Sequence, residues 1–70
     1  MKVQIEKAVR DLDLLELIND IIDMSLNSET LRECLDLISF NINNRFISYG
    51  RAGSHIWVSI KDKRVLFITN

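Results

Sequence analysis

The chain has one cysteine, one histidine, two glycines and no proline in 70 residues, and each shortage excludes something. Cys34 alone cannot close an internal disulfide. One cysteine with one histidine also falls short of a four-ligand zinc site, unless carboxylates or a second chain complete it. With Gly50 and Gly53 as the only glycines, neither a Walker loop nor a dinucleotide-binding fingerprint can be written. No apolar run approaches the roughly 20 residues that span a bilayer, and Met1 to Lys7 lacks the unbroken apolar stretch of a signal peptide. These absences predict a cytoplasmic protein with Cys34 as a reduced thiol and with no metal, cofactor or membrane association.

What is present is ordinary globular composition, 47% hydrophobic and 27% charged, which predicts one small domain over residues 1–70. A chain this short buries only roughly 60% of its unfolded surface. Small natural domains offset that thin margin with disulfides, metals or self-association, and the first two have little to work with. A homodimer is therefore expected. Charge is unevenly spread. Residues 1–36 carry nine acids against four bases, whereas residues 37–70 carry five bases (Arg45, Arg51, Lys61, Lys63, Arg64) against Asp62 alone. Such halves either attract each other within the domain or mark a basic surface for an acidic partner.

Helical spacing runs from Val3 to Leu26, with Leu14, Leu15, Ile18, Ile21 and Ile22 on one face and Asp13, Glu16, Asp20 and Asp23 on the other. The start of this segment is ambiguous, because Val3 and Ile5 alternate as a short strand would. A heptad register through Ile5, Ala8, Leu12, Leu15, Asn19, Ile22 and Leu26 would put Asn19 at a core position, although two or three heptads are few for a coiled coil. A second helix is expected over about 28–43, with Asn27 as N-cap, Leu26 and Leu31 as hydrophobic staple and Glu29 at the positive end. Its core stripe is Leu31, Cys34, Leu35, Ile38 and Ile42, and Asn43-Asn44 suits its end.

The remainder reads as strands at about 45–49, 55–60 and 64–69, linked by Gly50 to Gly53 and by the polar turn Lys61 to Arg64. In the second strand Ile56, Val58 and Ile60 alternate with His55, Trp57 and Ser59. The fold class is thus α+β, with two helices (about 3–26 and 28–43) packed on one face of a three-stranded antiparallel meander.

Residues that this arrangement leaves off the core are the candidates for function. Leu37 and Phe40 fall outside the stripe of the second helix, and Trp57 and His55 face away from the aliphatics of their strand. Together they predict a contact surface for a protein partner, with Trp57 as the hot spot or, alternatively, as a stacking platform for a single-stranded base. The acids of the first helix read as a solvated face rather than a catalytic pair. Cys34, on a core stripe, reads as a structural thiol.

Arg51-Ala52-Gly53-Ser54-His55, followed by the strand Ile56 to Ile60, a short polar turn and Arg64-Val65, resembles the central part of HicA-type mRNA interferase toxins. Residues 51–69 carry the likeness, and Gly53-Ser54-His55 is its sharpest element. The resemblance implies a helix before a three-stranded sheet, His55 as general acid/base for RNA cleavage, and Arg51, Lys61, Lys63 and Arg64 as phosphate contacts.

The sequence therefore predicts a small non-catalytic regulator or inhibitor that binds a protein and works as a homodimer, of a kind that mobile elements often carry. An RNA-binding or mRNA-cleaving toxin, one half of a toxin–antitoxin pair, is the alternative.

Overall fold

A computed structural model of the chain describes residues 1–7, 9–42 and 46–70. Two helices and a four-stranded antiparallel sheet follow one another as β1 (Lys2–Ile5), α1 (Leu12–Leu26), α2 (Leu31–Asn41), β2 (Ile47–Ala52), β3 (His55–Ile60) and β4 (Lys63–Thr69). The strand order is β1-β4-β3-β2. The α+β class is as the sequence suggests, and the three-stranded sheet is corrected to four.

The extra strand comes from the segment expected to begin a helix. Lys2 to Ile5 pairs antiparallel with β4, Val3 opposite Ile68 and Ile5 opposite Leu66, so the alternation of Val3 and Ile5 outweighs the helical rhythm. The helix starts only where a cap is available. Asp11 has extended backbone and its carboxylate accepts from the N–H groups of Asp13 (3.0 Å) and Leu14 (3.4 Å), satisfying donors that the first turn leaves orphaned. Asn19 is exposed, as a residue bordering the core would be. Ala8, part of the heptad reading, lies outside the described residues.

Asn27 is not the N-cap of the second helix. It caps the C-terminus of α1 instead, its side-chain amide donating to the Asp23 carbonyl at 2.9 Å. Thr30 starts α2 by accepting from the N–H of Glu33 at 3.1 Å, and the Glu33 carboxylate accepts from the N–H of Glu29 at 3.1 Å. The Thr30-Leu31-Arg32-Glu33 run is thus a variant of the capping box. The expected staple is absent, since Leu26 is 66% exposed. Asn43, Asn44 and Arg45 lie outside the described residues; α2 ends at Asn41 with Ile42 as C-cap.

Both helices face one side of the sheet. Ile18 and Ile21 of α1, Leu31, Cys34, Ile38 and Ile42 along α2, and Ile56, Val58, Ile60, Val65, Leu66 and Ile68 of the sheet form one buried cluster. Between the helices the Cys34 thiol donates to Ser25 Oγ at 3.4 Å, and that hydroxyl donates to the Ile21 carbonyl at 2.8 Å. Among the described residues no buried side-chain nitrogen or oxygen lacks a partner, and Cys34 sits in the core as its stripe requires.

Two tight turns set the sheet register. Gly50, Arg51 and Ala52 belong to β2 rather than to a loop, and the reversal is made by Gly53-Ser54 alone, with Gly53 at φ 60°. Lys61-Asp62 joins β3 to β4 with both residues at positive φ, 52° and 63°. Two consecutive positive angles define the type I′ hairpin turn that matches strand twist, for which Asn-Gly is the favoured pair. Asp62→Gly is accordingly expected to stabilise the chain by about 1 kcal/mol, or roughly 4–8 °C in Tm. Thermal melts followed by circular dichroism read this, and an unchanged or lower Tm would contradict the turn geometry.

One irregularity interrupts the pairing of β3 with β4. Val58 pairs with Leu66 but Ser59 pairs with Arg64, leaving Val65 as an extra residue on β4. This bulge lets Val65 and Leu66 both turn inward, and both are buried. It also sends Arg64 to the sheet face that strict alternation from Leu66 would deny it. The carbonyl of Val65 accepts from the N–H of Glu6 at 2.8 Å, so the same bulge anchors the end of β1.

Candidate functional site: the open face of the sheet

Helices cover one side of the sheet, and the candidate residues gather on the other. In β3 the buried Ile56, Val58 and Ile60 alternate with half-buried His55, Trp57 and Ser59, so the latter three define the open face. Pairing register arranges that face in rows. Gly50, Trp57, Phe67 and Gln4 cross the sheet in one row, and Ala52, His55, Thr69 and Lys2 in the next. Ser48, Ser59 and Arg64 make the row on the other side.

Trp57 is seated by Gly50. A Cβ on Gly50 would lie 2.7 Å from the indole Cζ2 and 2.9 Å from Cε2, closer than carbon atoms pack, so the indole lies on bare backbone. Glycine is needed at this position for proximity. On the other side of the row the Phe67 ring has the His55 imidazole tilted against it, ring centroids 4.9 Å apart at 55°. The Arg64 guanidinium carbon lies 4.4 Å from the Phe67 centroid, and Arg64 Nε donates to Glu6 Oε2 at 2.7 Å. At such exposed positions a cation–π contact and an ion pair are each worth under about 1 kcal/mol. They orient Arg64 and Phe67 more than they stabilise the fold.

The other expected site residues are not brought here. Phe40 is 87% exposed, and it stands two residues, roughly 200° of helix rotation, from the buried Ile38. It therefore points away from the sheet. Leu37 is half-buried on the same helix. The basic residues are scattered as well. Arg51 occupies the core-side face of β2, beyond helix cover, with its Nε donating to the Gly53 carbonyl at 3.2 Å. Lys61 lies at the opposite end of β3, its ammonium 3.8 Å from Asp11, and Lys63 is exposed beside that turn. Only Arg64 shares the surroundings of His55, through Phe67.

The arrangement brings Trp57, Phe67 and His55 together on one face. Among the described residues, His55 has no hydrogen-bonded carboxylate or hydroxyl to act with it in proton transfer, and no group of acids, His55 and Cys34 could hold a metal ion. No described helix is long and apolar enough to cross a membrane. A separate groove between α1 and the start of β2 has Leu14, Leu17 and Phe46 in its walls and Asp13, Glu16 and Asp20 along its length.

Sequence reasoning placed Trp57 and His55 on a free face but missed Phe67, Glu6 and Gly50. Phe67 was legible as the outward residue opposite Trp57. Arg64 and Glu6 were not, since their positions depend on the bulge at Val65. The chain matches no known protein family, and neither a curated protein nor a solved structure is significantly similar to it.

Proposed function

We propose that this chain is a non-catalytic protein-binding module, a small cytoplasmic regulator or inhibitor that works as a homodimer and meets its target with the open face of its sheet. The observation that carries this reading is Trp57 laid on Gly50 beside Phe67 and His55. Rigid aromatic groups at the middle of a face, bordered by small and polar residues such as Ser48, Ser59 and Thr69, have the make-up of an interface hot spot and its rim. Half-buried in the free chain, they lose little side-chain freedom on binding. Leu37 and Phe40 lie on the helical side and are not assigned to this contact.

The experiment is affinity capture by the tagged full chain from its source cells, with the captured protein then purified and titrated. Trp57→Ala should keep the far-UV spectrum and weaken binding by about 2 kcal/mol or more. Binding that survives both Trp57→Ala and Phe67→Ala would remove the open face as the contact surface. RNA cleavage by the wild type that His55→Ala abolishes would replace this reading with the toxin alternative.

A further inference from the structure

The two edges of the sheet are not alike. At one edge β1 is short, Lys2 to Ile5, with Lys2 as its first residue and Lys7 just beyond its end, devices that discourage further strand pairing. At the other edge β2 runs for six residues without proline, lysine or bulge, in unbroken register with β3. Among the described residues, no backbone hydrogen bond joins β2 to anything except β3.

Which backbone groups are free follows from the turn. Ala52 and His55 close a two-residue hairpin and so form a hydrogen-bonded pair, and bonded and non-bonded pairs alternate from there. Gly50–Trp57 and Ser48–Ser59 are bonded pairs as well. The N–H and C=O groups of Ile47, Tyr49 and Arg51 therefore point outward, away from β3.

We infer that β2 is the dimer seam, pairing antiparallel with β2 of a second copy about a two-fold axis at Tyr49. This rests on the homodimer of the reading above and says where it forms. With the axis at Tyr49, Tyr49 meets its own counterpart and Ile47 meets Arg51, so every outward backbone group finds a partner in a self-complementary, closed contact. Charge agrees with this register. Arg51 lies on the same side of the sheet as Ile47 and α1. Pairing brings it to Ile47 of the second copy, one residue from Phe46 and the groove lined by Asp11, Asp13, Glu16 and Asp20, in which Lys61 is the one cation among the described residues and lies 3.8 Å from Asp11. A cation thus approaches a set of acids at each end of the seam. On the open face the residues of β2 are Ser48, Gly50 and Ala52, too small to obstruct a second strand, and the Trp57 indole over Gly50 comes to the rim of the joint. The product is one continuous sheet with a Trp57 on either side of the axis.

Amide hydrogen exchange on the full chain, followed by NMR across a concentration series alongside sedimentation, tests this. Dimer formation should slow the amides of Ile47, Tyr49 and Arg51 together, whereas Ser48, Gly50 and Ala52 are slow throughout. Arg51→Pro removes an outward N–H without touching a bond to β3, and should weaken the dimer by about tenfold or more while keeping the β3 and β4 amides protected. A dimer in which those three amides stay fast, or a chain that remains monomeric at millimolar concentration, overturns the inference. Protection that arises only when a captured target is added would also overturn it, by assigning the edge to the target's strand. If Arg51→Pro fails to fold, the exchange pattern of the wild type still decides. A monomer that captures a target through Trp57 would defeat the seam and the homodimer while leaving the open-face contact standing, and a β2-paired dimer that captures nothing would defeat the target-binding reading while leaving the seam.

Discussion

Leu66→Ala is expected to remove about 3–4 kcal/mol of folding stability, a third or more of what a chain of this size has. Leu66 is fully buried at the middle of the sheet, between Val58 of β3 and Ile5 of β1. Truncation there costs the transfer free energy of the lost carbons plus the cavity left behind. The neighbours can close that cavity only partly, because two paired strands hold the position from either side. The loss is large against the whole. At about 0.05–0.15 kcal/mol per residue, a chain of this size has roughly 4–10 kcal/mol in total. Urea unfolding followed by far-UV circular dichroism measures it, with Phe40→Ser as the comparison. Phe40 is 87% exposed, and its replacement should change stability by no more than about 0.5 kcal/mol. A loss under about 1 kcal/mol for Leu66→Ala would mean that the core is not where the structure puts it.

Gly50→Ala should act through a different physical cause. The added Cβ would fall 2.7 Å from the indole, so either the indole lifts off the sheet or the edge strand bends. Overpacking of this kind costs roughly 1–3 kcal/mol. The indole should also become more exposed, which a red shift in its fluorescence reports, and Trp57 is the only tryptophan in the chain. The decisive comparison is a double-mutant cycle. Once Trp57 is replaced by alanine the obstruction is gone, so Gly50→Ala should then be nearly neutral, with a coupling of about 1 kcal/mol or more. An additive cycle would show that the close approach has no energetic consequence. Target capture should fall in the Gly50→Ala chain even where it remains folded, because the indole is no longer held in place.

The helices and the pairing of β3 with β4 were legible because each rests on local pattern. The stripes through Ile18 and Ile21 and through Cys34 and Ile38 have helical period, and the alternation of β3 is regular. The first strand was less visible. Four residues with two alternating aliphatics cannot outvote a longer helical rhythm until a partner strand is known, and that partner lies at the far end of the sequence. The caps were misplaced for a related reason. Asn27, Ser28 and Thr30 can all cap, and the choice of Thr30 follows from where α1 ends, with Asn27 already used there. Within the site, Trp57 and His55 follow from strand period alone. Arg64 and its pairing with Glu6 do not, since a single inserted residue at Val65 reverses the side on which Arg64 emerges.

The pairing of β1 with β4 also governs when the molecule can be completed during its synthesis. Glu6 and the Arg64 that holds it are 58 positions apart, with both helices and the other strands between them. While the ribosome is still making β3, the aliphatic residues of the first strand have nothing to pair with, and α1 and α2 have only half a sheet to cover. Closure of so long a loop is slow compared with helix formation. The first strand should therefore be made first and docked last, joining the sheet only once β4 has been made.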